Sequence, residues 1–133
     1  MSTTSITVGT ELGPLRHTPT NVQLFRYSAV TWNAHRIHYD QEYADFEGHP
    51  GVLVHSHLHA ALMLRMVTET LGESWEVSKV MYRMRHSSIP GTELVETARV
   101  ASIDGDRMVL DVSEHDSEGN LCLEGTVTVE RRR

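Results

Sequence analysis

The hydrophobic period of this sequence changes at Gly72, and that change decides which folds the chain can adopt. Before it, apolar residues between Leu58 and Leu71 recur at helical spacing and cover most of the helix circumference, which indicates a helix buried on most sides. After it, apolar and polar residues alternate in runs at about 93–103, 107–114 and 121–130, separated by short turns rich in Asp and Gly. Such turns connect antiparallel strands. The pattern predicts an α+β domain in which an antiparallel sheet wraps around one long central helix.

The other segments carry shorter patterns. Ile6–Val8 is predicted as a short strand in an N-terminal arm, and 22–32 is rich in β-favouring and aromatic residues, which indicates a strand-like run. A short helix with an N-cap and an acidic first turn is predicted over 41–46. Alternation at 79–85 predicts a further strand that is closed by a hairpin turn at 90–93.

Length and charge limit the number of domains and the kind of partner. The 133 residues are expected to form a single domain over 1–133. The chain has 12 basic and 18 acidic residues, which gives a formal charge of −6. No nucleic acid is therefore expected as a partner. Cys122 is the single cysteine, which excludes an intrachain disulfide framework and a zinc site built from cysteines.

The same sequence gives expectations about location and assembly. Met1–Thr10 lacks the pattern of a signal peptide, and no apolar run approaches the ~20 residues of a membrane span. We therefore expect a cytoplasmic protein with no membrane partner. A sheet of this size around one helix leaves an edge strand and an apolar face, so a dimer is expected.

Histidines are concentrated in one quarter of the chain. Six of the nine lie between positions 35 and 59, and histidine can accept and return a proton near neutral pH. Each of them can equally be an ordinary polar residue of a turn. His55, His57 and His59 alternate as metal ligands on a strand would, but on a helix only His55 and His59 share a side. No metal and no cofactor are expected.

Three segments together resemble the MaoC-like hydratase and dehydratase family. They are FRYSAVTWNAHRIHYD at 25–40, Tyr43-Ala44, and GHPGVLVH at 48–55. The sequence is most similar to the branch of 3-hydroxyacyl-thioester dehydratases and mesaconyl-CoA hydratases. This resemblance implies a hot-dog fold, an active site at a dimer interface and a thioester substrate carried on coenzyme A or acyl carrier protein.

The resemblance also implies roles for particular residues. His38 matches the histidine that transfers protons in the family, and Asn33 stands at the position of an Asp that holds the reacting water. His35 stands where the family often has Asn, so His38 either acts alone on both proton transfers or shares them with His35. His55 and Ser56 replace a His-Gly pair at the helix start, so the Ser56 N–H would bind the thioester carbonyl. The substrate-binding positions implied by the motif are completed by Asp40 and Gly51.

The leading hypothesis from the sequence is therefore an enoyl-thioester hydratase, or in reverse a 3-hydroxyacyl-thioester dehydratase. One alternative is a non-catalytic or half-catalytic subunit that pairs with another hot-dog chain, so the predicted dimer is either a homodimer or such a heterodimer. Another is a hot-dog thioesterase, for which Glu69 is the only carboxylate within the central helix. A metal-dependent hydrolase built on His55, His57 and His59 comes last.

Overall fold

The computed structural model describes residues 5–133, which form a five-stranded sheet and three α-helices. In chain order the elements are β1 (Glu11–His17), α1 (Asn21–Val30), a 3-10 turn (Arg36–His38), α2 (Gln41–Phe46), α3 (Ser56–Leu71), β2 (Trp75–Met84), β3 (Leu94–Asp104), β4 (Arg107–Asp116) and β5 (Leu121–Arg131). Within residues 5–133, no helix is both long enough and apolar enough to cross a membrane.

All neighbouring strands pair antiparallel, in the order β1-β3-β4-β5-β2. Helix α3 packs against β1, β2, β3 and β4, so its apolar side chains and the inward-facing side chains of the sheet form one core. Fully buried members of this core include Met63, Met66, Val100, Leu110 and Val127. The predicted α+β arrangement of a sheet wrapped around one long helix is confirmed.

One glycine marks where the sheet is tightest. Gly125 on β5 pairs with Tyr82 on β2, and a Cβ atom at this position would overlap the carbonyl oxygen of Met81. Any larger residue would push these two strands apart, because backbone atoms cannot move aside as a flexible side chain does. The close contact between the backbones at Gly125 and Met81 fixes β2 against β5. The chain that follows β2 lines the cavity described below.

The longest predicted elements agree with the structure. Helix α3 ends at Gly72, as predicted, and the three runs after it form β3, β4 and β5 with bounds within two residues of those expected. Helix α2 also begins as predicted, because the Asp40 side chain accepts a hydrogen bond from the Tyr43 N–H. A hydrophobic period that extends over ten or more residues, or a good N-cap, is thus sufficient to predict these helices and strands from the sequence.

The strand-like interpretation of 22–32 is wrong, because this segment forms α1. Thr20 caps the helix by accepting the Gln23 N–H through its hydroxyl oxygen at 3.1 Å. Leu24 and Ser28, four residues apart, are the side chains that α1 buries. A capped N-terminus and one buried face override the β-favouring composition of the segment.

Two shorter predictions are also wrong. Ile6–Val8 is not a strand, since a turn closes between Thr7 and Thr10, with Gly9 at φ +93°, and the first strand begins only at Glu11. The segment 90–93 is not a hairpin turn, because β2 and β3 are not neighbours and lie on opposite sides of the β4-β5 pair. The chain after β2 therefore crosses the molecule rather than folding back on itself.

Candidate active site

A cavity of about 510 Å³ opens where the 31–38 segment, the loop before α3 and the end of β2 meet. His38, His55 and His57, which the sequence analysis singled out, line this cavity, and His86 from the chain after β2 lines it as well. Side chains that line the cavity and carry the following argument are Asn33, His38, His55, Ser56, His57 and His86. The fold thus gathers residues that are up to about 50 positions apart in the chain.

His38 is held in one tautomer. Its Nδ1 lies 2.7 Å from the carbonyl oxygen of Leu53, and because a carbonyl only accepts, Nδ1 carries the proton. Leu53 is itself held by a hydrogen bond from its N–H to the Ile37 carbonyl at 2.8 Å. In the neutral ring, Nε2 is therefore the basic atom, and the backbone on both sides fixes its direction.

His38 and His55 are stacked. Their ring centroids are 3.8 Å apart with an interplanar angle of 17°, and both side chains are buried. His55 Nε2 lies 2.7 Å from the Ser28 hydroxyl, and the Tyr27 ring packs edge-on against it at 4.9 Å. Helix α1 therefore holds the His55 ring in place, and the His38 ring stacks against it.

This environment disfavours positive charge on both rings. Burial lowers the pKa of His38, and the neighbouring His35 lowers it further, while the hydrogen bond to the Leu53 carbonyl acts in the opposite direction. Burial, followed by the charges of nearby histidines, lowers the pKa of His55 to about 4. At neutral pH both rings are uncharged, so His38 is able to accept a proton.

The start of α3 faces the same cavity. His55 is the N-cap residue, yet its side chain makes no capping hydrogen bond to the helix. The N–H groups of Ser56 and His57 make no hydrogen bond to the other described residues, as is usual at a helix start, and both residues line the cavity. This end of the helix is therefore able to stabilise negative charge on a bound oxygen.

Asn33 and His35 occupy different positions relative to the cavity. Asn33 lines it, and its Oδ1 accepts the His35 N–H at 3.2 Å. No bond from the Asn33 Nδ2 to another of the described residues is found, so this amide N–H is available to a ligand. His35 is exposed, and its Nδ1 accepts the Ile37 N–H as the cap of the 3-10 turn.

Asp40 and Gly51 lie outside the lining of this cavity. Asp40 accepts two hydrogen bonds from the Arg36 guanidinium and caps α2, and these bonds lower the pKa of its carboxyl group. Gly51 is buried, and a Cβ atom there would contact Ile89 at 3.4 Å. Both residues hold the shape of the segments around the cavity.

The remaining histidines of the α3 start are separated by the helix. His57 is exposed at the cavity, whereas His59 is buried and contacts Glu114 on β4. Within residues 5–133, no three His, Cys, Asp or Glu side chains are placed to hold a metal ion together. Glu69, on which a thioesterase would depend, pairs with Arg65 near the other end of α3.

We expect the purified protein to contain no tightly bound metal. The reason is that the two histidines sharing a side of α3 have other partners, since His55 bonds to Ser28 and His59 contacts Glu114. Elemental analysis of protein purified without chelators should find zinc, iron and nickel well below one equivalent per chain. One equivalent of any of them would contradict this expectation and favour a metal-dependent hydrolase.

The sequence analysis did not single out Ser28, Arg85 or His86. Ser28 was hidden because α1 was interpreted as strand-like, although its spacing of four from Leu24 is a helical signal. Arg85 and His86 follow directly after β2 and line the cavity. Their participation depends on where β2 lies in the sheet, and no local pattern encodes that position.

Residues 10–90 match the family model described as hydroxyacyl-thioester dehydratase type 2. The chain belongs to this family. The resemblance drawn from the sequence is thereby confirmed, and the description of the family names a dehydratase, which agrees with the hydro-lyase class predicted from the sequence. A relative, the mesaconyl-C(4)-CoA hydratase of Chloroflexus aurantiacus, is 37% identical over 105 residues, which cover 78% of this chain. The match covers 35% of that relative, so this chain spans about a third of its length.

Solved structures share the fold at much lower identity. The (R)-hydratase from A. caviae superposes with a TM-score of 0.91 at 17% identity, covering 97% of this chain and 99% of that one. A chain of the ChsH1–ChsH2 complex from Mycobacterium tuberculosis gives 0.89 at 18% identity, covering 96% and 100%. At these identities the likeness concerns the fold, and it confirms the predicted hot-dog fold.

Proposed function

We propose that this protein is an enoyl-thioester hydratase, acting in reverse as a 3-hydroxyacyl-thioester dehydratase, on an acyl-CoA or acyl-carrier-protein substrate. One observation carries the proposal: His38, fixed with its proton on Nδ1, lines a cavity shared with the uncapped start of α3. A base and a site for negative charge are what this elimination requires. The family and the mesaconyl-C(4)-CoA hydratase relative support the same chemistry.

In the dehydration direction, His38 Nε2 removes the proton on the carbon next to the thioester carbonyl. The electron pair of the broken C–H bond moves toward the carbonyl, and the N–H of Ser56 stabilises the oxygen as it becomes negative. The carbon–oxygen bond at the β position then breaks, and His38 returns its proton to the leaving hydroxyl group. The products are the enoyl thioester and water, and hydration is the same sequence reversed.

In this proposal His38 carries both proton transfers. His35 is a poor second base because its ring is exposed, lies outside the cavity lining and caps the 3-10 turn through Nδ1. The amide N–H of Asn33 at the cavity bonds to none of the other described residues, and it is assigned to orient the water or the leaving hydroxyl group. Asp40 and Gly51 act indirectly, by holding α2 and the loop before α3 in place.

The assembly that completes the site is also part of the proposal. Strands β1 and β2 each have one unpaired edge within the sheet, and the chain leaving β2 lines the cavity. We expect a homodimer, or a heterodimer with another hot-dog chain. In the heterodimer this chain would be a half-catalytic subunit, which is the alternative function. The likeness to one chain of the ChsH1–ChsH2 complex supports this alternative.

An assay of the purified chain tests the proposal. With a short trans-2-enoyl-CoA we expect the absorbance of the conjugated thioester to fall without release of free thiol, because water adds to the double bond and the thioester survives. Light scattering after size exclusion gives the oligomeric state of the same sample. Inactivity of a folded chain on enoyl thioesters of several lengths would contradict the proposal and favour the half-catalytic subunit. Thiol release would indicate a thioesterase.

A further inference from the structure

The proposed reaction places a positive charge on His38 after the first proton transfer, and the cavity offers no carboxylate to balance it. None of the described residues that line the cavity is an Asp or a Glu, and Asn33 of the same segment is an uncharged amide. Burial lowers the pKa of His38, so its ring gains the proton in surroundings that disfavour the charge. Another group has to stabilise the protonated ring if the transfer is to be fast.

Two close contacts of the His38 ring, among the described residues, can respond to its charge. The Leu53 carbonyl oxygen accepts the Nδ1–H at 2.7 Å, and this bond raises the pKa of His38 against the effect of burial. The His55 ring lies parallel to the His38 ring, with 3.8 Å between the centroids and 17° between the planes. The carbonyl thus contacts the edge of the ring, and His55 covers one face. We refer to His38 and His55 as the stacked pair.

The parallel arrangement of the stacked pair suits one charged ring and one neutral ring. Two neutral aromatic rings prefer an offset or edge-on arrangement, with about 4.5–7 Å between centroids. Two protonated rings would repel each other at the observed distance. A cation against the face of a neutral aromatic ring is attracted by its π electrons. The stack is therefore the arrangement expected if one ring takes the proton while the other stays neutral.

His55 is the ring that stays neutral. Its side chain is buried, its Nε2 lies 2.7 Å from the Ser28 hydroxyl oxygen, and its Nδ1 has no hydrogen-bond partner among the described residues. A protonated His55 would carry an N–H on both nitrogens, and the one on Nδ1 would be buried without an acceptor, which is costly. Burial accordingly lowers the pKa of His55 to about 4.

We propose that His55 is a positioning residue that stabilises protonated His38 through the face of its own neutral ring, and that Ser28 holds this face parallel to His38. For the reaction rate, this inference rests on the proposed function. The effect of His55 on the titration of His38 does not depend on any reaction and can be measured separately.

Ser28 reaches His55 from helix α1. Its side chain is buried, and the bond to His55 Nε2 is the side-chain hydrogen bond found for its hydroxyl among the described residues. The neighbouring Tyr27 ring packs edge-on against His55, with 4.9 Å between centroids and 64° between planes. One hydrogen bond and one aromatic contact together set the tilt of the His55 ring. Loss of the hydroxyl should therefore let the ring turn out of the parallel stack.

The titratable groups on the elements that carry the stacked pair supply no negative charge. The ring of His35 lies 6.0 Å from that of His38 and opposes its proton. On α3, His57 and His59 oppose a proton on His55. On α1, burial raises the pKa of Tyr27, so its phenol stays uncharged at neutral pH. The face of His55 and the Leu53 carbonyl are left as the groups that favour the charged form of His38.

The chain after β2 adds two basic residues to the cavity lining, and both have acidic partners outside it. Arg85 pairs with Glu124 at 2.6 Å, and His86 Nε2 lies 4.0 Å from Asp116. Neither carboxylate lines the cavity. These two pairs therefore do not replace the missing counter-charge of His38.

Two substitutions of His55 isolate the contribution of the ring face. His55→Leu and His55→Phe both lose the bond to the Ser28 hydroxyl, but only Phe keeps an aromatic face against His38. In a histidine titration followed by NMR, we expect the pKa of His38 to be about one unit lower in His55→Leu than in His55→Phe, because the protonated form has lost its stabilising face. The acid limb of the pH–rate profile should move to lower pH by the same amount, with a turnover number about 10-fold lower.

The sign of the pKa difference decides the test. An equal pKa of His38 in the two folded variants, or a higher one in His55→Leu, would overturn the proposal. The wild-type protein provides a second measurement that needs no substitution. Its His55 ring nitrogens should show an uncharged ring over the whole pH range in which His38 takes up its proton. A His55 ring that is protonated in that range would equally overturn the proposal.

The role of Ser28 is tested by a separate pair of variants and a matched control. Ser28→Ala should lower the turnover number by about 10-fold with little change in KM, and should lower the pKa of His38. Ser28→Thr keeps the hydroxyl and should retain both values, since Ser28 borders an open groove beside Ala29 that has room for a methyl group. Ser88→Ala is the control, because Ser88 is equally buried but its hydroxyl contacts the Cys122 sulfur. Wild-type turnover and His38 titration in Ser28→Ala, or equal losses in Ser88→Ala, would overturn the role of Ser28.

These measurements separate this inference from the proposed function. If the chain fails to hydrate enoyl thioesters while the pKa of His38 differs between His55→Leu and His55→Phe as expected, the proposed function fails and the role of His55 stands. If the chain is active and the two variants have the same His38 titration and the same turnover, the proposed function stands and the role of His55 fails.

Discussion

His38→Asn should lower the turnover number of enoyl-thioester hydration by about 10²- to 10⁴-fold, the usual contribution of a general acid–base group. Asn is the informative substitution because its side-chain N–H can take the place of the Nδ1–H that His38 donates to the Leu53 carbonyl. The proton carrier is lost while the loop before α3 stays anchored. Turnover and melting temperature are measured on the same preparation.

Two further variants make this result specific. His38→Ala should lose as much activity and also melt earlier, since it leaves the Leu53 carbonyl without its donor and removes a buried ring that stacks on His55. His35→Ala should retain turnover within a few-fold of wild type if His38 carries both proton transfers. A loss in His35→Ala as large as that in His38→Asn would assign one of the transfers to His35. A His38→Asn enzyme with most of its turnover would exclude His38 as the base.

The sequence was most informative where a pattern runs long or where a local cap exists. The apolar pattern of α3 and the alternation in β3, β4 and β5 extend over ten or more residues, so the period outweighs individual propensities. Asp40 predicted the start of α2 correctly, because the capping hydrogen bond joins residues only three positions apart. These features are local, and a single sequence is sufficient to find them.

Contacts between segments that are far apart in the chain could not be predicted from local sequence patterns. The pairing of β2 with β5 rather than β3 depends on how the whole sheet closes, and the hairpin predicted at 90–93 failed for that reason. The bond between Ser28 and His55 joins residues 27 positions apart, across a helix that had been interpreted as a strand. His38 and Asn33, which both line the cavity, were predicted as site residues through the family motif rather than through packing.

The meeting of His59, Glu96 and Glu114 between α3 and the sheet was missed, although one of its signals was present. Glu96 follows Leu94 and precedes Ala98 at a spacing of two, so alternation alone places it on the inward face of β3. Glu114 stands in the same relation to Val112 on β4. A carboxyl group on an inward face needs a partner, but the sequence does not say that the two face each other or that His59 meets them.

Asn33→Ala should reduce turnover by about 10²-fold, because a reacting water that is no longer oriented loses the positioning that makes its addition effectively intramolecular. It should also lower stability by about 1 kcal/mol, since Oδ1 of Asn33 accepts the His35 N–H and this bond is lost. Asn33→Asp keeps an oxygen for that bond and restores the carboxylate typical of the family. We expect it to keep both the melting temperature and the turnover, or to raise the latter.

The stability loss by itself cannot distinguish a catalytic amide from a simple turn cap, because both predict it. His35→Ala supplies the comparison, since it removes the neighbouring cap, in which His35 Nδ1 accepts the Ile37 N–H, and leaves the Asn33 amide intact. If loosening of this segment were the cause of a lower rate, the two Ala variants would lose turnover together. A large loss confined to Asn33→Ala assigns the effect to its amide at the cavity. A stable Asn33→Ala enzyme with normal turnover would make Asn33 a cap only, and the water would then have to be oriented by another group of the cavity lining.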